Sequence, residues 1–290
     1  MLKLLKQSAF AFFEDNAPRH GAAIAYYTVF ALAPVLLIVI AVAGFVIGDD
    51  VVRQALLTQI SGLIGADGSE AVGAILERAN KSDKGASTTM LALGGLIFAA
   101  TGAFLELQAA LNMIWRVRSE PSTGINIPKM VTRRLRSLGV VVSIGFLLLV
   151  SLSVSTAVRL SMSWLGNLAP GMEALIGFAD QVLSFLVSGV LFGLLFRVLP
   201  DVHLQWRDVA VGAAVTAALF TIGQRLIGFY LGNSSLASPF GAAGTVVIIL
   251  VWVYYSAQIV LLGAEFTRLY SERSGKRAAP MEGAVRTAAR

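Results

Sequence analysis

The chain has 290 residues, of which 56% are hydrophobic and 14% charged, with a mean hydropathy of +0.75. Soluble domains carry roughly a quarter of their residues as charges, so this composition excludes an ordinary water-soluble fold. The formal charge is +6, from 23 Lys+Arg against 17 Asp+Glu, with no cysteine and two histidines, His20 and His203. That inventory excludes disulfides, thiol catalysis and thiolate zinc, and leaves little for an imidazole-ligated centre. No catalytic residue, metal or cofactor is expected.

At the N-terminus, Leu2, Leu5, Phe12 and Phe13 interleave with Lys3 and Lys6, the pattern of a short helix lying on the inner membrane surface. Glu14 and Asp15 break the apolar run before a secretory core is complete, so no cleavage is expected. Six uncharged or nearly uncharged stretches follow, each near the 20 residues that a spanning helix needs. They cover about 22–48, 87–115 with Glu106, 137–158, 181–199 with Arg197, 209–231 with Arg225, and 241–264. The fold class expected is therefore all-α, a polytopic six-helix membrane bundle.

Between the first two spans, Val51, Val52, Ala55, Leu56, Ile60, Leu63 and then Val72, Ile75, Leu76 recur at three-and-four spacing around Gly65-Ala66-Asp67-Gly68. Two amphipathic outward helices are predicted there, and residues 160–179 form a smaller outward element. Lys and Arg concentrate in residues 1–21, 116–136 and the tail after Glu265, which places those segments and both termini in the cytoplasm. The expected location is the bacterial cytoplasmic (inner) membrane. Residues 1–272 read as a single membrane domain and 273–290 as a basic, disordered tail.

Ionisable groups within a span need a partner, a wet cavity or an escape to the interface. Depth counting puts Glu106 and Arg197 in the inner part of the bilayer and Arg225 in the outer third, so Glu106 is expected to pair with Arg197. Glu106, Gln108 and Asn112 can form a polar patch facing an inward cavity, or can brace helices with no role in transport. Gln224 and Arg225 face an outer vestibule or snorkel outward. Tyr26 and Tyr27 belong to the inner aromatic belt or to the same cavity as Glu106. Tyr254 and Gln258 offer polar groups at mid-depth of the last span, where an unpaired group is costly. Glu265, beside Arg268, is read as interfacial. Pro34 should kink the first span. Gly94, Gly95, Gly102, Gly212 and Ala213 let backbones approach. The turn 238–245 lacks a GKS/T ending and a preceding strand, so it is not a nucleotide loop.

Three stretches resemble the YihY/BrkB group of bacterial inner-membrane proteins, once labelled ribonuclease BN. They are AAIAYYTVFALAP from Ala22 to Pro34, AALNMIW from Ala109 to Trp115, and the run from Ser238-Pro239-Phe240-Gly241 through Trp252, Tyr254, Tyr255 and Gln258 to Gly263-Ala264-Glu265-Phe266-Thr267. The resemblance covers about residues 8–272. It implies a six-helix membrane protein of a group described as transporters or virulence-associated factors, with no settled reaction.

The function expected is non-ATP-driven transport or translocation of a lipid-like, amphiphilic or anionic solute through a cavity bounded by the first, second, fifth and sixth spans. The alternative is a structural or envelope-assembly protein without transport. Metal-dependent phosphodiester cleavage needs clustered carboxylates and histidines, and two histidines distant in sequence do not supply them, so ribonuclease activity is not expected. The partners expected are membrane lipids, whose anionic headgroups meet the basic inner segment and tail, and an unidentified solute. Nucleic acid is not expected as a partner, and a homo-oligomer is allowed but not specified by the sequence.

Overall fold

The structure, a computed structural model, describes residues 2–80, 102–119, 173–233, 242–273, 275, 278–281 and 283–287. The expected third span, most of the basic inner segment, the start of the second span, residues 160–172 and the first half of the 238–245 turn lie outside these residues. The helices are α1 (Leu2–Glu14), α2 (Ala17–Ile47), α3 (Asp49–Asn80), α4 (residues 102–114), α5 (Glu173–Val198), α6 (Trp206–Asn233) and α7 (Ala242–Arg273). Four short strands accompany them: β1 (Val117–Ser119), β2 (Val202–His203), β3 (Ala279–Pro280) and β4 (Ala284–Arg286). The chain divides into two compact units, residues 1–111 with 219–265, and residues 112–218 with 266–290.

In the first unit, α1 buries Leu4, Ser8, Ala11 and Phe12, one stripe at helical spacing. Lys3 and Lys6 stay exposed, with Phe10 and Phe13 outward beside them. Asn16 then turns the chain with a left-handed φ of 53°, and Pro18 sits in the first turn of α2, where its missing N–H costs nothing. The helix α2 runs unbroken through Pro34 to Gly48, whose φ of 93° suits a residue without Cβ and whose N–H donates to Gly44 O at 2.8 Å.

Immediately beyond, α3 is helical from Asp49 to Asn80 but doubles back on itself. The Ser69 hydroxyl donates to Leu57 O at 2.7 Å and Arg53 to Gly73 O at 3.4 Å. Twelve residues of straight helix would separate the first pair by about 18 Å, so the direction reverses between residues 57 and 69. The two limbs are the two amphipathic segments read from the sequence. α3 packs chiefly on α2. Val72 and Leu76 join Ala25, Ile248, Ile249 and Val253 in the core of this unit, flanked by Val29, Ile60 and Ile227.

In the second unit, Phe196, Val202, Val209, Ala217 and Phe266 are almost wholly buried. Arg116, at φ 55°, turns the chain out of α4 into β1. Within the C-terminal segment, expected to be disordered, the described residues include two short strands. β4 pairs antiparallel with β1, Val117 opposite Arg286, and β3 pairs antiparallel with β2, Val202 opposite Pro280. Two further backbone bonds fasten it: Met281 N–H donates to Asp201 O and Thr287 N–H to Arg116 O, both at 2.9 Å. The correction has a simple cause: β1 and β2 present open edges, and a short polar tail satisfies them without needing a core of its own.

Among the described residues, Gln181–Val198, Trp206–Ile227 and Val246–Arg273 are long and apolar enough to cross a bilayer. Only 17%, 33% and 39% of those windows is buried in the protein. Leu186, Ile222 and Leu226 accordingly point outward, each more than half exposed. Such faces are unfavourable in water by about 25 cal/mol per Å² of apolar surface, and hydrocarbon removes that cost.

Candidate functional site

The site lies in the first unit, where α2, α4 and α7 converge. His20 occupies the first turn of α2, just before its uncharged run, and Glu106 lies one turn past Gly102 on α4. Nδ1 of His20 lies 2.7 Å from Glu106 Oε1, within hydrogen-bond distance, with the two side chains 25% and 26% exposed. Partial burial strengthens a charge-assisted bond relative to a surface pair while leaving a route for a small donor or acceptor.

Two glycines permit this convergence. A Cβ at Gly102 would sit 2.7 Å from Cδ1 of Tyr27, and one at Gly21 would collide with the Gln258 amide. Gln258 Nε2 donates to Pro18 O at 3.5 Å, while its Oε1 is buried without a hydrogen-bond partner. A buried amide oxygen left without a partner among the described residues is unfavourable by about 1–3 kcal/mol. Tyr27 meets Tyr26 edge-on at 5.5 Å, and Tyr26, 57% exposed, continues the aromatic surface to Phe30.

The remaining residues singled out from the sequence distribute differently from the expectation. Glu106 pairs with His20 and not with Arg197. Arg197, in the last turn of α5, donates to Leu204 O, and its guanidinium lies 4.4 Å from the centre of the Trp206 ring. A helix C-terminus and an aromatic face both attract a cation, and depth counting could see neither. Gln108 and Asn112 are buried. At about 100° per residue they share a face of α4 that Glu106 does not, so the expected three-residue patch is split. Asn112, in the second unit, exchanges two bonds with Asp201: its Nδ2 donates to Oδ2 at 2.9 Å and its Oδ1 accepts from the Asp201 N–H at 2.8 Å.

Gln224 is part-exposed and Arg225 exposed on α6. Tyr254 is 38% exposed, whereas Tyr255 faces Gly223. Glu265, read as interfacial, is completely buried, and Arg268 pairs with Glu272 at 3.1 Å. Pro34 lies inside continuous helix. Sequence reasoning missed His20, Asp201, and Asp208, which accepts a bond from Ser271 at 3.2 Å. His20 carried one usable signal, its position at the boundary of an uncharged run. Among the described residues, no third His, Asp or Glu joins His20 and Glu106 in a metal-holding group.

Outward apolar helices enclosing partly buried polar pairs define a helical integral membrane protein. Residues 10–286 match the family model described as virulence factor BrkB, and the chain belongs to that family. The match runs past residue 272 and takes in β3 and β4 of the tail. A UPF0761 membrane protein of Ralstonia nicotianae is 28% identical over 87% of this chain and 55% of its own length. One from Pseudomonas aeruginosa is 30% identical over 92% of the chain and 64% of its own, and one from Yersinia pestis is 30% identical over 65% and 61%. The chain thus spans less than two thirds of the length of these relatives. No solved structure matches.

Proposed function

We propose that the protein is a six-span transporter of the bacterial inner membrane with both termini cytoplasmic. It moves a lipid-like, amphiphilic or anionic solute without ATP and without acting as an enzyme. The observation that carries the reading is the partly exposed His20–Glu106 ion pair, held between helices that are otherwise apolar. Ionisable groups among apolar helices are unfavourable by several kcal/mol unless they find a partner or a wet cavity, and a pair that keeps about a quarter of its surface exposed supports a pathway. The first unit also takes in α2, most of α4, the end of α6 and most of α7, which include residues from the stretches read as the first, second, fifth and sixth spans. Anionic lipid at the basic inner segment and tail is part of the same proposal.

The test is counterflow and lipid scrambling in proteoliposomes. Glu106→Gln and His20→Asn should each lower flux at least tenfold with the fold retained, and unchanged flux removes the pair from the mechanism. A second reading, an envelope-assembly protein, draws support from the exposed surface of α3, where Val51 and Gln59 are both exposed. Absence of flux under every gradient, with partner recovery lost on deleting residues 51–79, favours that reading.

A further inference from the structure

The reversal of α3 creates an open groove of about 420 Å³ between its limbs, remote in sequence from the His20–Glu106 site. Its lining is polar except for Leu57, and many of its groups are already committed. Ser69 donates to Leu57 O, Thr58 donates to Gln54 O at 2.8 Å, and one guanidinium nitrogen of Arg53 is held by Gly73 O. Among the described residues, the carboxylate of Asp50, the other nitrogens of Arg53, the amide of Gln54 and the hydroxyl of Ser61 have no hydrogen-bond partner. Asp50 and Arg53 are three residues apart on one face of the helix, where opposite charges ordinarily meet, yet they form no ion pair. Gly73 holds the guanidinium, leaving a positive and a negative group both open to one cavity.

Position narrows the ligand. The uncharged run of α2 from Ala22 to Ile47 is about 39 Å long at 1.5 Å per residue, against a hydrocarbon core of about 30 Å. Asp50 and Arg53 follow directly after Gly48, at headgroup depth. Arg53 with hydroxyls around it suits a phosphodiester. Asp50, the Gln54 carbonyl and Ser61 suit a group that donates hydrogen bonds. No aromatic ring lines the groove among the described residues, so it lacks the cage that a quaternary ammonium favours, and a purely anionic headgroup would meet Asp50 unfavourably.

We propose that the α3 groove binds a zwitterionic headgroup, a phosphodiester at Arg53 joined to a primary ammonium at Asp50. This goes beyond the transport reading, since the groove would hold such a headgroup whether or not solute moves. Its two sources are a lipid of the outer leaflet and the free water-soluble headgroup.

The experiment is native mass spectrometry of the full chain, extracted from an equimolar mixture of phosphatidylethanolamine, phosphatidylcholine and phosphatidylglycerol, with glycerophosphoethanolamine as competitor. The expected result is selective retention of phosphatidylethanolamine. Arg53→Gln should lower that retention about tenfold, the loss of one charge-assisted contact. Asp50→Asn should erase the preference over phosphatidylcholine, and Glu70→Gln, an exposed change on the same helix, should alter nothing. Competition by the soluble compound identifies the headgroup alone as the recognised unit, whereas retention without competition identifies the bilayer lipid. Equal retention of the three lipids by the unmodified protein overturns the proposal, and so does selectivity that survives both groove substitutions. The first of these needs no variant and stands even if the substituted proteins fold poorly. Because lipid retention is read without flux, failure of this site and failure of transport are separate results.

Discussion

Nδ1 of His20 and Oε1 of Glu106 lie 2.7 Å apart although 86 positions separate them, and this bond joins the start of α2 to α4. Its members are each about one quarter exposed, so its energy should exceed that of a surface pair. A double-mutant cycle with His20→Asn and Glu106→Gln, read by unfolding in detergent, should give a coupling of about 1 kcal/mol or more. Additive losses would mean that the two side chains do not depend on each other.

Asn112 and Asp201 form a tighter device, because each supplies one donor and one acceptor and both are buried. Removing Asn112 takes one bond from the Asp201 carboxylate and one from its backbone N–H, whereas removing the Asp201 side chain leaves that N–H in place and takes a partner only from Asn112 Nδ2. Asn112→Ala and Asp201→Ala are each expected to destabilise by about 1–3 kcal/mol, and the double variant should be little worse than either single one. Thermal melts of the four proteins check this.

Glycines on these helices separate into two kinds. A Cβ at Gly212 would run into Thr267, and one at Gly223 would lie 2.7 Å from Cδ1 of Ile259, but Gly189 on α5 has nothing within 4 Å. Gly212→Ala and Gly223→Ala should therefore lower stability by about 1–3 kcal/mol through overpacking. Gly189→Ala should be neutral or raise it by up to about 1 kcal/mol, the helix-propensity gain. The order of midpoints in a melting series decides it.

Much of the fold was legible because hydrocarbon imposes a coarse rule. Uncharged or nearly uncharged runs long enough to span marked α2, α5, α6 and α7, and apolar spacing interrupted at Gly65 to Gly68 marked the two limbs of α3. Glu106 was legible as a polar group needing a partner. Its partner was not, because residue counting supplies depth along a helix but not the direction a side chain faces around it. Arg197 and Glu106 matched in depth, yet Arg197 had Trp206 and the Leu204 carbonyl nearby. The strands of the tail were illegible for another reason: Ala279–Pro280 and Ala284–Arg286 have no strand pattern of their own and form only against the edges of β2 and β1.

That dependence makes the tail a testable fastening. Truncation after residue 277 removes β3, β4 and the bonds from Met281 and Thr287. Limited proteolysis should then cut near residues 116–119 and 202–205 several times faster than in the full chain, with the helices of the first unit unaffected. Equal cutting rates would show that the strand pairs contribute nothing to order.

The account rests on an even number of crossings with α3 outside, and the absence of cysteine in this chain makes single-cysteine labelling direct. Lys6, Gln59 and Arg273 are all exposed. In intact cells treated with a membrane-impermeant maleimide, Gln59→Cys should react, whereas Lys6→Cys and Arg273→Cys should react only after the membrane is opened. Labelling of positions 6 and 273 from opposite sides, or of all three from the same side, would contradict the account.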